Sequence, residues 1–227
     1  MKVKFGAIVV DGRNKIGGHV MSKNRAGAYM RTKVTPVNPS SQYQNAVRAR
    51  LTTLSQAWKA LTAAEVLAWN YAVEIWKSTD IFGDIHKPSG INLFQRLNNN
   101  KVRGSGNLVT APPVPVAVSD LGSLSVAVVD ASSVTYTVTL QTLGVDEVLE
   151  VLASAPVGAG INFGKNLLRI IKSDAALTAG VYVATTPYVA MFGVVPSAPF
   201  NAFFGARVIN KETGQTSGLY TFTLRTT

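Results

Sequence analysis

The chain has 227 residues, of which 47% are hydrophobic and only 15% charged; this excludes a generally disordered polymer and leaves room for one large core or two small ones. With no cysteine, it can form no disulfide, no thiolate metal centre and no thiol nucleophile. Its net charge of +10 is lopsided: residues 1–103 carry 16 Lys+Arg against 5 Asp+Glu, whereas residues 104–227 carry 6 against 7. Such a bias favours an anionic partner for the first half, either nucleic acid or an acidic protein surface.

Residues 1–40 are rich in glycine, small residues and basic residues. Short β-like runs occupy 3–10, 16–21 and 28–34, with turn signals at Asp11-Gly12 and Asn24 to Gly27. The start is basic, but its apolar run stops at Asp11-Gly12-Arg13 and no small-residue cleavage site follows, so no secretory signal is expected. An extended β-hairpin arm is expected here. It holds too few large apolar side chains to be stable alone, and needs something to lie on.

The period then changes. Ser41-Gln42-Tyr43-Gln44 fits a capping box, and Tyr43, Val47, Leu51, Leu54, Trp58 and Leu61 follow at helical spacing. A second box, Thr62-Ala63-Ala64-Glu65, opens a helix with Val66, Trp69, Val73 and Trp76 on one stripe, and the two should form a helical hairpin. Residues 82–90 read as a loop, and Ile91, Phe94, Leu97 and Val102 mark a third short helix. The proline cluster Ala111-Pro112-Pro113-Val114-Pro115 reads as a stiff connector spanning 104–116.

Beyond it, strand-like runs recur at 124–129, 134–140, 147–152, 167–171, 181–185, 203–208 and 219–224, separated mostly by Gly, Pro, Asn or Asp. The stretch 134–140 alternates apolar and polar residues, the mark of a strand with one buried and one wet face. The expected fold class is therefore α+β and multidomain: a basic arm (1–40), a helical region of three helices (41–103), a linker (104–116) and an immunoglobulin- or fibronectin-like β-sandwich (117–227). The longest apolar stretch, 181–204, is broken by Thr185, Thr186, Pro187, Pro196 and Pro199, short of the ~20 continuous apolar residues of a membrane helix.

Catalytic chemistry has little to build on. Two histidines, His19 and His86, leave few histidine-dependent mechanisms; Asp80, Asp84 and His86 could in principle converge on a metal, but solvated loop polarity is the favoured reading. Asp146, Glu147 and Glu150 read as solvent-facing carboxylates at a strand start, and Gly158-Ala159-Gly160 lacks the strand-to-helix setting of a phosphate loop. No cofactor and no enzymatic activity are expected. What remains is the basic set Arg13, Lys15, Lys23, Arg25, Arg31, Lys33, Arg48 and Arg50, read as partner-binding residues because acids are almost absent around them. Trp58, Trp69 and Trp76 fall on helix stripes and read as core rather than base-stacking platforms.

The segments Ser22-Lys23-Asn24-Arg25-Ala26-Gly27, Arg31-Thr32-Lys33-Val34-Thr35-Pro36-Val37-Asn38-Pro39, Gln44-Asn45-Ala46-Val47-Arg48 and Leu54-Ser55-Gln56-Ala57-Trp58, with Leu61-Thr62, Ala68-Trp69 and Ser89-Gly90-Ile91-Asn92-Leu93-Phe94, resemble a region of uncharacterised structural proteins of tailed phages and prophages. The likeness covers roughly residues 6–100. It implies a virion setting with capsid, portal or tail subunits as partners, self-association in a ring or shell, and no active site. The alternative expectation is a DNA-binding protein that neutralises packaged nucleic acid through the same cations.

Overall fold

The computed structural model describes residues 1–6, 11–129, 132–197 and 200–225. In chain order its elements are β1 (Asn14–Ile16), β2 (His19–Asn24), β3 (Gly27–Thr32), α1 (Gln42–Lys59), α2 (Ala63–Ala72), β4 (Ser78–Thr79), β5 (Ile85–His86) and α3 (Gly90–Arg103). Then follow β6 (Leu124–Val129), β7 (Ser133–Val138), β8 (Glu147–Ala153), β9 (Val157–Gly158), β10 (Arg169–Ala175), β11 (Val181–Val183), α4 (Thr185–Phe192), β12 (Phe200–Asn210) and β13 (Tyr220–Arg225). The chain is mixed α+β, with four helices and several antiparallel sheets among the described residues.

In the arm, β1, β2 and β3 form a three-stranded antiparallel sheet. The run expected at 16–21 is split by a turn at Gly17-Gly18, where Gly17 takes φ +55, a region that costs other residues strain. Residues 7–10 of the run expected at 3–10 lie outside the described residues. Residues 1–3 run along β3: the Val3 amide donates to the Ala28 carbonyl at 3.0 Å and the Met30 amide to that of Met1 at 2.8 Å.

The helices form where the periodicity placed them, except that α2 stops at Ala72: Val73 is its C-cap, and Trp76, expected on the same helical stripe, lies in the turn beyond. Ser41 caps α1 by accepting from the Gln44 amide at 3.3 Å, though only this half of the expected box is made. Thr62 and Glu65 complete the full box on α2, worth about 1 kcal/mol. Trp69, Val73, Leu93, Phe94 and Leu97 make the helical core, with Trp58 and Trp76 packed against it. The rings of Trp58 and Trp69 meet Phe94 edge-on at 5.4 and 5.3 Å. Within the loop expected at 82–90, β5 pairs with β4 as a short hairpin.

The C-terminal unit holds two antiparallel sheets, ordered β10-β8-β12-β13 (with β9 also on β12) and β11-β7-β6. Their inner faces share one core that includes Tyr136, Leu149, Val151, Phe204, Ala206 and Val208. All seven strand-like runs appear as strands, with end shifts. One helix was not expected: α4 follows the shortened β11, and its Pro187 lies in the first turn, where no amide donor is needed. Tyr188 of α4 is buried in the shared core and donates to the Ser154 carbonyl at 2.9 Å.

Glu150 requires a correction. Expected to face solvent, it is 0% exposed, because the outer face of β8 is not wet. The C-terminal turn of α3 covers it, and Arg103 of α3 and Arg207, its cross-strand neighbour on β12, both pair with its carboxylate, Arg207 Nε at 2.6 Å. Around this triad α3 is bolted to the sheets. Lys101 Nζ donates to the Glu212 carbonyl at 2.5 Å and Asn100 Nδ2 to that of Gly214 at 3.0 Å. Gly214, at φ +74, lies so close to α3 that a Cβ there would collide with the Leu97 carbonyl. Residues 104–116 are held along their length as well. Asn98 clamps the Val109 backbone in both directions at 2.8 and 3.2 Å, Trp69 Nε1 donates to the Thr110 carbonyl at 2.5 Å, and the Val116 amide donates to Gln215 Oε1 at 2.6 Å. No helix among the described residues is long and apolar enough to cross a membrane.

Candidate partner-binding surface

The eight basic residues singled out from the sequence fall into separate places. Register puts Lys15, Val20 and Arg31 in one cross-strand row, so both cations project from the same face of the arm sheet. Lys33 stands two residues beyond Arg31, just past the end of β3, its amide donating to the Gly18 carbonyl at 2.8 Å. Lys23 sits opposite Ala28 on the other face, near the tip of the β2–β3 turn. Arg25 stands at that tip, where it lines an open cleft of about 440 Å³ with Lys77, Asp80, Asp84, His86 and Lys87. Arg48 is exposed on α1 and donates to Asn38 Oδ1 at 2.7 Å, tying the helix to the extended segment before it. Arg50 is remote from the arm, in a cleft between α1, α3 and β10. Arg13 is paired with Asp11 at 3.0 Å.

Charge accounting decides what these residues can do. Each of the five carboxylates of residues 1–103 already has a partner. Asp11 holds Arg13, Glu65 accepts from Thr62 in the capping box, and Glu74 holds Lys87 at 2.6 Å; Asp80 holds Lys2 at 2.8 Å and Asp84 holds Lys4 at 2.9 Å. Among the described residues, no carboxylate pairs with Lys15, Lys23, Arg25, Arg31, Lys33, Arg48 or Arg50. Like charges gathered on one face of a small sheet repel and cost stability. An anion supplied from outside removes that cost.

The arm is presented by contacts the sequence reading missed. Lys2 and Lys4 bridge to Asp80 and Asp84 in the β4–β5 hairpin, and Lys4 Nζ also lies over the Phe82 ring at 5.3 Å. The signal was present in the sequence, since these two acids are among few in a basic half, but their partners lie some eighty positions away in the chain. Both carboxylates are thereby committed to lysines, and no group of three metal-ligating side chains occurs among the described residues.

The Asp80 carboxyl is 9% exposed and accepts from the Lys2 ammonium and from the Phe82 and Asp84 amides. These bonds to its charged form, Lys2 first, hold it down from 3.8 to about 2. A depressed carboxyl contributes stability that is fully present above its unfolded value and drains away as pH falls through the folded one. The arm's attachment to the hairpin should therefore weaken as pH drops from 3.8 toward 2. Amide exchange protection at Val3 and Met30 is expected to fall across that window, and protection that stays constant through it would contradict the tether.

Set against family models, curated protein sequences and solved structures, the chain matches none of them.

Proposed function

We propose that this chain is a non-enzymatic structural component of a tailed-phage virion, a head, neck-ring or tail accessory protein, anchored in the particle by its basic N-terminal region. One observation carries the docking part of this reading. The exposed arm cations Lys15, Lys23, Arg25, Arg31 and Lys33 pair with no carboxylate among the described residues, and all five carboxylates of residues 1–103 are engaged elsewhere, while the arm itself is pinned to the helical region at Asp80 and Asp84. A presented surface of unsatisfied charge fits an acidic face on a neighbouring subunit. The virion setting rests on the resemblance of residues 6–100. The immunoglobulin- or fibronectin-like sandwich belongs to the same proposal; two antiparallel sheets around one core support it, and α4 is an addition that a plain seven-stranded sandwich lacks.

Repetition in a symmetric ring or shell lets weak contacts sum to firm attachment. Three exposed charge contacts at about 0.5 kcal/mol each amount to roughly a tenfold change in affinity per copy. The triple variant Lys15→Gln/Arg31→Gln/Lys33→Gln is therefore expected to enter purified, nuclease-treated particles at about a tenth of the level of the unaltered chain, counted with a labelled chain. Undiminished entry would refute the anchoring role. Binding to naked DNA that falls log-linearly with salt, with no particle incorporation, would favour neutralisation of packaged nucleic acid instead.

A further inference from the structure

At the corner where α1, the C-terminal end of α3 and β10 meet lies an open cleft of about 210 Å³, lined by Tyr43, Arg50, Arg103 and residues 170–173. Its charges do not balance. Arg103 and Arg207 share the single buried carboxylate of Glu150, and Lys172 is paired with Asp174 at 2.7 Å. The Arg169 guanidinium lies over the Tyr43 ring at 5.9 Å. Arg50 has only a long contact to Asn99 Oδ1 at 3.5 Å, and the buried Nε of Arg103 finds no acceptor. Around the corner five cations are thus set against two carboxylates; of these groups Arg50, Arg103 and Lys172 line the cleft itself, and no carboxylate does.

Burial, and then repulsion from Arg207 and Arg50, pushes Arg103 down to about 10, which still leaves it charged near neutral pH. The cleft has room for about seven waters at ~30 Å³ each, enough for a side chain to displace several. Its walls are mixed. Ile170 and the Tyr43 ring offer apolar surface beside the guanidinium of Arg50. That combination suits a ligand with a short apolar stem and a carboxylate head, which an arginine can grip in a bidentate manner. A phosphodiester has no use for the apolar wall.

We propose that this cleft receives an aspartate or glutamate side chain from a partner protein, with Arg50 as the residue that grips its carboxylate. The nature of the partner rests on the docking reading above: the arm provides a broad cationic surface, and the cleft provides one point of specific register.

The test uses the full chain carrying Lys15→Gln, Arg31→Gln and Lys33→Gln, so that the arm does not mask the cleft, and a capped hexaglutamate peptide as probe. The peptide should shift the Arg50 side-chain Nε–H resonance saturably, beyond the effect of sodium chloride at equal ionic strength. Adding Arg50→Gln should weaken binding about tenfold, as expected for loss of a charge-assisted bond, and Arg50→Lys should restore part of it. A response no larger than that of salt, or one indifferent to Arg50→Gln, overturns the proposal. So does tighter, Arg50-dependent binding of inorganic phosphate or of a single-stranded oligonucleotide, which would make this a phosphate site. Saturable, Arg50-dependent peptide binding by a chain whose arm variants still enter particles normally would support the cleft while refuting the arm's anchoring role.

Discussion

Replacing Glu150 with Gln is expected to lower the stability of the chain by about 3–5 kcal/mol, because two half-buried guanidinium groups lose the one fully buried carboxylate that neutralises both. For a chain of this size that corresponds to a fall in Tm of roughly 6–20 °C. The effect should reach past the triad itself. Arg103 belongs to α3 and Arg207 to the sheet, so their common counter-ion helps hold the two halves together. Urea unfolding followed by tryptophan fluorescence, which reports the helical core, and by far-ultraviolet dichroism of the sheets is the measurement. A loss below about 1 kcal/mol would mean that water reaches the pair and that it behaves as a surface salt bridge. The triple replacement Arg103→Met/Glu150→Leu/Arg207→Met should recover most of the loss, since an apolar trio of similar volume avoids the desolvation cost altogether.

Trp69→Ala is expected to cost a similar amount, about 3–5 kcal/mol. The indole is fully buried, meets Phe94 edge-on, and its Nε1 donates to the Thr110 carbonyl, so truncation opens a large cavity and also releases the segment that leaves α3. Trp69→Phe separates the two contributions. It keeps most of the packing but not the hydrogen bond, and should cost about 1–2 kcal/mol through the orphaned carbonyl and lost volume. Equal losses in the two variants would show that the tie to Thr110, rather than the core, dominates. Amide exchange at Val109 and Thr110 distinguishes these cases directly.

Much of the local structure was legible from residues 41–103. Three helices follow from three-and-four spacing of Leu54, Trp69, Phe94 and their neighbours, two of them also from the caps Ser41 and Thr62; the third cap, Ser89, stood inside the segment read as a loop. The seven strand-like runs were legible for the same reason, because alternation such as that of 134–140 reflects one buried face. The candidate surface was only partly legible. Lys15 and Arg31 could be named as partner-binding candidates, but not placed on one row, since that depends on a turn at Gly17-Gly18. Helix α4 escaped notice because its eight residues are apolar nearly all round, and short apolar runs carry no clear period.

The sequence by itself determined the charge imbalance, the caps at Ser41 and Thr62, seven of the C-terminal strands and the lack of thiol chemistry, since all of these are properties of composition or of near neighbours in the chain. The tertiary structure decided the rest. It buried Glu150, committed Asp80 and Asp84 to Lys2 and Lys4, and brought Arg50 and Lys172 to one cleft. It also decided that α3 lies on the sheets. The physical reason is that a carboxylate's role depends on which face of its strand another element covers, and that covering element comes from far along the chain. Periodicity shows that β8 has two faces, but only the packing of α3 makes the outer one dry.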